Sequence, residues 1–207
     1  MATYKGLPGP EICDFWSRAD SAAFYDDGST FQISRIDMVA NTGTYLDTPF
    51  HRFEDGADLS AIALEQVAGL IGLVVRAPHT RGLAVGAEAL AGLDVRGKAV
   101  LIHTGWDAHW RTDAYFADHP FLTSEAADAL VAGGAALVGI DSHNIDDTST
   151  RARPVHTRLL GAGVLICEHL TKLAALPDSG FRFSAVPPKF CGVGTFPVRA
   201  FAEIAAD

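Results

Sequence analysis

The chain has 207 residues, 48% of them hydrophobic and 20% charged, with a formal net charge of −9. Such a length and composition suit one folded domain with a sizeable core. Acidic and basic residues are scattered rather than blocked, so the basic footprint of a nucleic-acid binder is missing, and the longest apolar run, Gly69–Val75, is too short to cross a bilayer.

No basic region followed by an apolar stretch opens the chain, so neither a signal peptide nor a membrane anchor is expected. Cys13, Cys167 and Cys191 are widely spaced and form no C-x-x-C pair. They read as small buried hydrophobes of a protein in a reducing cytoplasm, not as disulfides or zinc ligands.

Taken in order, residues 1–30 hold Gly6, Pro8, Gly9 and Pro10 and read as an irregular N-terminal arm. Its Phe15, Trp16, Phe24 and Tyr25 either cover an edge of the core, line a pocket for a flat ligand, or form a contact surface. Phe31–Val39 alternates apolar and polar residues, which predicts a strand. The stretch Asn41-Thr-Gly-Thr-Tyr-Leu-Asp-Thr-Pro-Phe-His51 follows, placing Asn41, Tyr45, Asp47 and His51 within eleven residues. Delivered from a loop at a strand's end, these side chains would build a site; as a tight turn they would satisfy only their own backbone.

Leu59–Val67 predicts one or two helical turns. Gly72–Arg76 and Lys98–His103 have strand length and β-branched character, with a possible turn of helix at Glu88–Leu90 between them. A loop at Thr104-Gly105-Trp106 leaves the second of these strands. Thr123–Val131 is the clearest helix, capped by Thr123 or Ser124 and ended by Gly133-Gly134. Ala136–Ile140 reads as a buried strand running into Asp141-Ser-His-Asn-Ile-Asp146. Pro154–Leu160 is a short helix with proline near its start, and Val164–Cys167 is a strand followed at once by Glu168. The tail from Phe181 to Val198 has strand-like pieces broken by Pro187-Pro188. Alternating strands and helices over residues 70–168 predict an α/β sheet, and the two ends look all-β. No repeat or linker interrupts residues 1–207, which are read as a single domain.

With these residues laid out, the chain resembles the cyclase superfamily, which includes bacterial kynurenine formamidase and isatin hydrolase. The family signature is His-x-Gly-Thr-His-x-Asp-x-Pro-x-His; Gly43, Thr44, Asp47, Pro49 and His51 match it, and Asn41 and Tyr45 replace its first two histidines. Leu101–Trp106 is similar to the family's segment ending in Thr-Gly-Trp, and Gly139-Ile-Asp141 followed by Asp146 to its Gly-x-Asp stretch. His156 and Glu168 stand at the separation of its later metal ligands. The likeness spans roughly residues 30–198, and the strand with which family members usually begin is missing.

The resemblance implies an α/β swivelling β/β/α domain, with a mixed central sheet and flanking helices. It implies that Asp47, His156 and Glu168 are metal ligands and that His51 is the acid/base. The amide of Asn41 and the phenol of Tyr45 are poorer ligands than imidazole, so the family's first metal position is weakened. One divalent ion, Zn²⁺ or Mn²⁺, at Asp47, His156 and Glu168 leaves a hydrolase of a small-molecule amide, lactam or related C–N bond, with Asn41 or Tyr45 donating to the developing oxyanion. A metal-free branch acting on a lactone or ester, or by dehydration, and a metabolite-binding protein without activity are the alternatives. The implied partners are a small-molecule substrate, with aromatic rings among the family's substrates, and further copies of the chain in a homodimer or larger homo-oligomer. His143 is a candidate substitute ligand; His103 carries no assignment.

Overall fold

A computed structural model of the chain describes residues 6–205. Its centre is an eight-stranded mixed sheet. Four parallel strands form the middle: β4 (Leu70–Arg76), β6 (Ala99–His103), β8 (Leu137–Ile140) and β9 (Leu165–Glu168). Antiparallel strands extend both sides. β3 (Tyr45–Asp47) joins β9 and is itself joined by β11 (Thr195–Pro197); β10 (Phe181–Ser184) joins β4 and carries β12 (Phe201–Ile204). The α/β expectation with a mixed central sheet and flanking helices therefore holds.

The strand sequences explain the layers. Parallel strands are covered on both faces and so read as continuous apolar runs. In β6, Val100 and Ile102 pack beneath α2 (Ser124–Gly133) and α3 (Pro154–Gly161), against Ala126, Leu130, Val155 and Leu159. Ala99 and Leu101 face the opposite layer of Leu46, Val67, Leu173 and Phe183. Thr123 caps α2 by accepting from Ala126 N, and Gly134 closes it in the left-handed region at φ 76°. A small parallel pair, β5 (Ala84–Val85) with β7 (Phe121–Leu122), lies outside the main sheet.

Three expectations need correction. The N-terminal arm is not irregular throughout: β1 (Glu11–Trp16) and the single turn α1 (Arg18–Ser21) precede β2 (Ile33–Asp37), and β1 and β2 pair antiparallel as a separate ribbon. The first five residues of that arm lie outside the described residues. The strand predicted within 31–39 is β2, and its residues, like those of β1, are all exposed. The segment 41–51 is not a loop at that strand's end either, because Tyr45–Asp47 is itself a strand of the main sheet; three residues are too few for an alternation to show. Residues 59–67 form only a short 3₁₀ turn, Leu64–Gln66.

Phe15, Trp16, Phe24 and Tyr25 do not cover the core: they remain 66%, 37%, 54% and 53% exposed. Phe15, Trp16 and Phe24 pack on one another instead, Trp16 standing 4.9 Å from Phe24 between ring centroids, and Tyr25 packs against Phe31. Cys167 is buried as expected, whereas Cys13 and Cys191 are exposed, and all three are free thiols. No helix among the described residues is long and apolar enough to cross a membrane.

Candidate active site

Residues two apart on a strand share a face, so Tyr45 and Asp47 point together while Leu46 enters the core. Strand register supplies their partners. Tyr45 lies opposite Glu168 on β9, and Asp47 opposite Thr195 on β11. The Tyr45 hydroxyl donates to Glu168 Oε2 at 2.6 Å, and the Thr195 hydroxyl donates to Asp47 Oδ1. All four side chains are buried.

Beyond β3 the chain turns through Pro49–His51. Thr48 N donates to Gly194 O at 2.8 Å and Phe50 N to Ala57 O at 3.1 Å, which pins the turn at both ends. Two glycines make that approach possible. A Cβ on Gly194 would stand 2.4 Å from His51 N, and one on Gly56 would stand 2.6 Å from the Pro49 carbonyl carbon. Gly194→Ala is therefore expected to destabilise the protein by about 1–3 kcal/mol through overpacking and to displace His51. Denaturant unfolding measured beside turnover checks both effects.

His51 Nδ1 lies 2.8 Å from Thr195 Oγ1. With Asp47 ionised, the only proton of Thr195 goes to Asp47, so its oxygen accepts from His51 Nδ1–H. That assignment leaves His51 Nε2 as the base. His51 is the exposed member of the group and can meet a ligand.

His156 comes from the first turn of α3, where Pro154 occupies the opening position. Asp146, in the loop after β8, accepts from Val155 N at 2.8 Å, His156 N at 3.0 Å and His156 Nδ1 at 2.7 Å. One carboxylate thus caps the helix and orients the imidazole. The other ring nitrogen, Nε2, stands 3.9 Å from Asp47 Oδ2 and 3.6 Å from Glu168 Oε1. Glu168 Oε1 also accepts from Ile145 N at 2.7 Å.

Burial sets the electrostatics. It pushes the Asp47 carboxyl up to about 6, although His51 and His156 oppose the rise. Burial disfavours the His156 cation, but the Asp146 hydrogen bond and the charges of Glu168 and Asp47 outweigh it and carry His156 up to about 9. Glu168 is held below the ordinary range: burial opposes this, but His156, His169 and the Tyr45 hydroxyl prevail. Asp47 Oδ2 is buried without a hydrogen-bond partner among the described residues. A buried carboxylate oxygen left bare is costly unless a cation or proton meets it.

The sequence-predicted residues therefore converge. Asn41, Tyr45, His51, His156 and Glu168 all line one open cleft of about 120 Å³, with Asp47 beneath it. The compact donor group, with one ligand atom from each residue within 4.8 Å of the others, is Asp47, His51 and His156; Glu168 approaches it through His156. His143 stands apart from that group, packed 5.1 Å from Phe116 and 5.0 Å from His119 between ring centroids. His103 Nδ1 meets Arg76 Nη1 at 3.0 Å. Asp141 accepts from Thr104 N, Thr104 Oγ1 and Gly105 N, locking the Thr-Gly-Trp segment to the strand end after β8.

Sequence reasoning missed Thr195, Gly194, Arg52 and Arg153, and assigned no role to Asp146. A threonine after glycine in a strand-like tail was the only trace of the first two. The arginines carried none, because only the fold brings them to the cleft.

The profile of the Cyclase family matches residues 8–147, about two thirds of the sequence, and the chain belongs to that family. Solved structures share the fold. An isatin hydrolase A from Labrenzia aggregata, bound to benzyl benzoate, superposes with a TM-score of 0.80 at 22% identity, over 96% of this chain and 84% of that one. A structure described as a "potential metal-dependent hydrolase with cyclase activity" gives 0.74 at 27% identity, over 97% and 92%. A "predicted metal-dependent hydrolase" from Bacillus stearothermophilus gives 0.71 at 26%, over 97% and 93%.

Proposed function

We propose that this member of the Cyclase family is a metal-dependent hydrolase acting on an amide, lactam or related carbonyl C–N bond of a small molecule. The observation that carries the reading is the bare, buried Asp47 Oδ2 facing His156 Nε2, with His51 completing the group. The carboxylates of Asp47 and Glu168 with the imidazole of His156 between them suit Zn²⁺ or Mn²⁺, and His51 stands beside that set as the acid/base. Asp146 fixes the ring of His156 as an outer partner of a metal-bound histidine does. The ion would supply positive charge that lowers the pKa of water from about 15.7 toward 7 and polarises the carbonyl.

The chain's own residues do the rest. His51 Nε2, oriented through Thr195, takes a proton from water as its oxygen adds to the carbonyl carbon. As the C–N bond breaks, the same nitrogen returns that proton to the leaving nitrogen. The Tyr45 hydroxyl is committed to Glu168, so its part is to hold that carboxylate. Asn41, whose amide makes no hydrogen bond among the described residues, is the available donor to a developing oxyanion.

A second reading has its own support. Without metal, the His156 cation already faces Asp47 and Glu168 and offsets part of their charge. That arrangement suits metal-free cleavage of a lactone or ester, dehydration, or simple metabolite binding. Chelation followed by reloading with zinc or manganese separates the readings on a panel of arylformamides, lactams and lactones. The hydrolase reading expects activity to vanish on chelation and return at about one equivalent of metal. Activity that persists in the chelated protein supports metal-free chemistry; no turnover under any condition supports binding alone.

Assembly belongs to the same proposal. An isolated two-stranded ribbon is marginal in water, yet β1–β2 exposes Ile12, Phe15, Ile33 and Ile36. A second copy of the chain would cover them. Light scattering is expected to find a dimer or larger homo-oligomer, and the double variant Ile12→Asp/Ile36→Asp, whose positions face each other across the ribbon, a monomer. A monomeric parent protein would end this part of the proposal.

A further inference from the structure

We propose that the substrate carries a carboxylate, recognised at the mouth of the cleft by Arg153 and Arg52; this rests on the hydrolase reading above. Both arginines line the cleft that holds His51, His156 and Glu168. The chain is strongly acidic and has only 16 lysines and arginines. Elsewhere Arg76, Lys98 and Arg158 pair with aspartates, but neither arginine of the cleft forms an ion pair among the described residues.

Arg153 is half-buried and held in place without being neutralised. Its Nη1 donates to the carbonyl oxygens of Asp147, Thr150 and Ala152 at 3.2, 2.8 and 2.6 Å. Carbonyls orient a guanidinium but bring no net negative charge. Its Nε and Nη2 make no hydrogen bond among the described residues. Arg52 donates through Nε alone, to Thr157 Oγ1 at 3.1 Å, and keeps both terminal nitrogens uncommitted.

A partly desolvated guanidinium fixed along one edge gains most from a planar anion that takes its other edge with two hydrogen bonds. The first turn of α3 beside Arg153 offers an anion neither Val155 N nor His156 N, because both serve Asp146. Recognition of an anion therefore falls to the arginines. His51, His156 and Glu168 line the same cleft and belong to the reacting group, so the two arginines are the cationic side chains left for a substrate anion.

Metal-reloaded full-length protein is assayed with formanilide and its ortho and meta ring carboxylates. At least one acid is expected to exceed the neutral amide in kcat/KM by about tenfold or more, the scale of a charge-assisted hydrogen bond. Arg153→Gln is expected to bring that ratio toward one, and Arg153→Lys to retain part of it. A ratio near one in the parent protein, or one unmoved in an Arg153→Gln variant with the parent's melting temperature, overturns the proposal. If none of the three compounds is hydrolysed, the hydrolase reading fails for arylformamides while the anion site stays measurable by calorimetry. Benzoate binding that exceeds benzamide binding and weakens about tenfold in Arg153→Gln then supports it; equal or absent benzoate binding overturns it.

Discussion

Asp47→Asn is expected to abolish metal uptake and turnover while stabilising the metal-free protein at alkaline pH. Asp47 is fully buried, supplies the only carboxylate of the compact donor group, and leaves Oδ2 without a hydrogen-bond partner among the described residues. An amide keeps the shape and can still accept from Thr195, but it removes the charge that a cation needs. Metal content should fall from about one equivalent to none, since altering even an outer-shell partner weakens metal binding by about 10–100-fold.

The stability effect has the opposite sign. Burial raises the Asp47 carboxyl from 3.8 to about 6, so the folded state holds its proton more tightly than the unfolded chain does. The stabilising contribution is complete below pH 3.8 and is lost as pH rises through about 6. Above that, the buried carboxylate costs on the order of 3 kcal/mol, at about 1.4 kcal/mol per pH unit. Metal-free Asp47→Asn should accordingly melt higher than the metal-free parent at pH 8 and not at pH 3. A residue kept only for packing would show a lower melting temperature at both.

Loading should depend on pH for the same reason. His156 holds a proton up to about 9, so between pH 6 and 9 each bound cation must displace one. Affinity should fall by about tenfold for each pH unit down, which titration against a competing chelator at pH 7 and pH 9 would reveal. Equal affinity at the two values would remove His156 from the ligand set.

His51→Ala carries the second large effect. Loss of a positioned acid/base is expected to lower kcat by about 10²–10⁴-fold. Full activity in this variant would sink the assignment. Metal content of the same protein then separates two roles that the geometry allows. Metal retained means that His51 carries protons; metal lost means that it is a ligand, as its place in the compact group permits. Thr195→Val removes the hydroxyl that fixes the ring tautomer without removing the base. It should lower kcat less than His51→Ala does and shift the pH profile of turnover, whereas purely structural damage would leave that profile's midpoints in place.

Much of this site was legible in the sequence because its residues are close in the chain or belong to strongly patterned elements. Asn41, Tyr45, Asp47 and His51 occupy one segment, and the family resemblance singles out His156, in a helix opened by proline, and Glu168, at the end of a buried strand. The ribbon was not legible. β1 and β2 are separated by a turn and an irregular stretch, and their pairing leaves no mark on either segment alone.

What the sequence by itself determined is the inventory: an α/β alternation over residues 70–168, four central strands with apolar residues on both faces, two short helices, and a set of carboxylates and imidazoles at strand ends. Local periodicity and capping encode these because they depend on neighbours within a few residues. Only the tertiary structure decided which of those groups act on one another. Thr195 reaches Asp47 and His51 across 148 and 144 residues of chain, and Tyr45 reaches Glu168 across 123. Those contacts arise from sheet register, and register is a property of paired strands that no single segment carries.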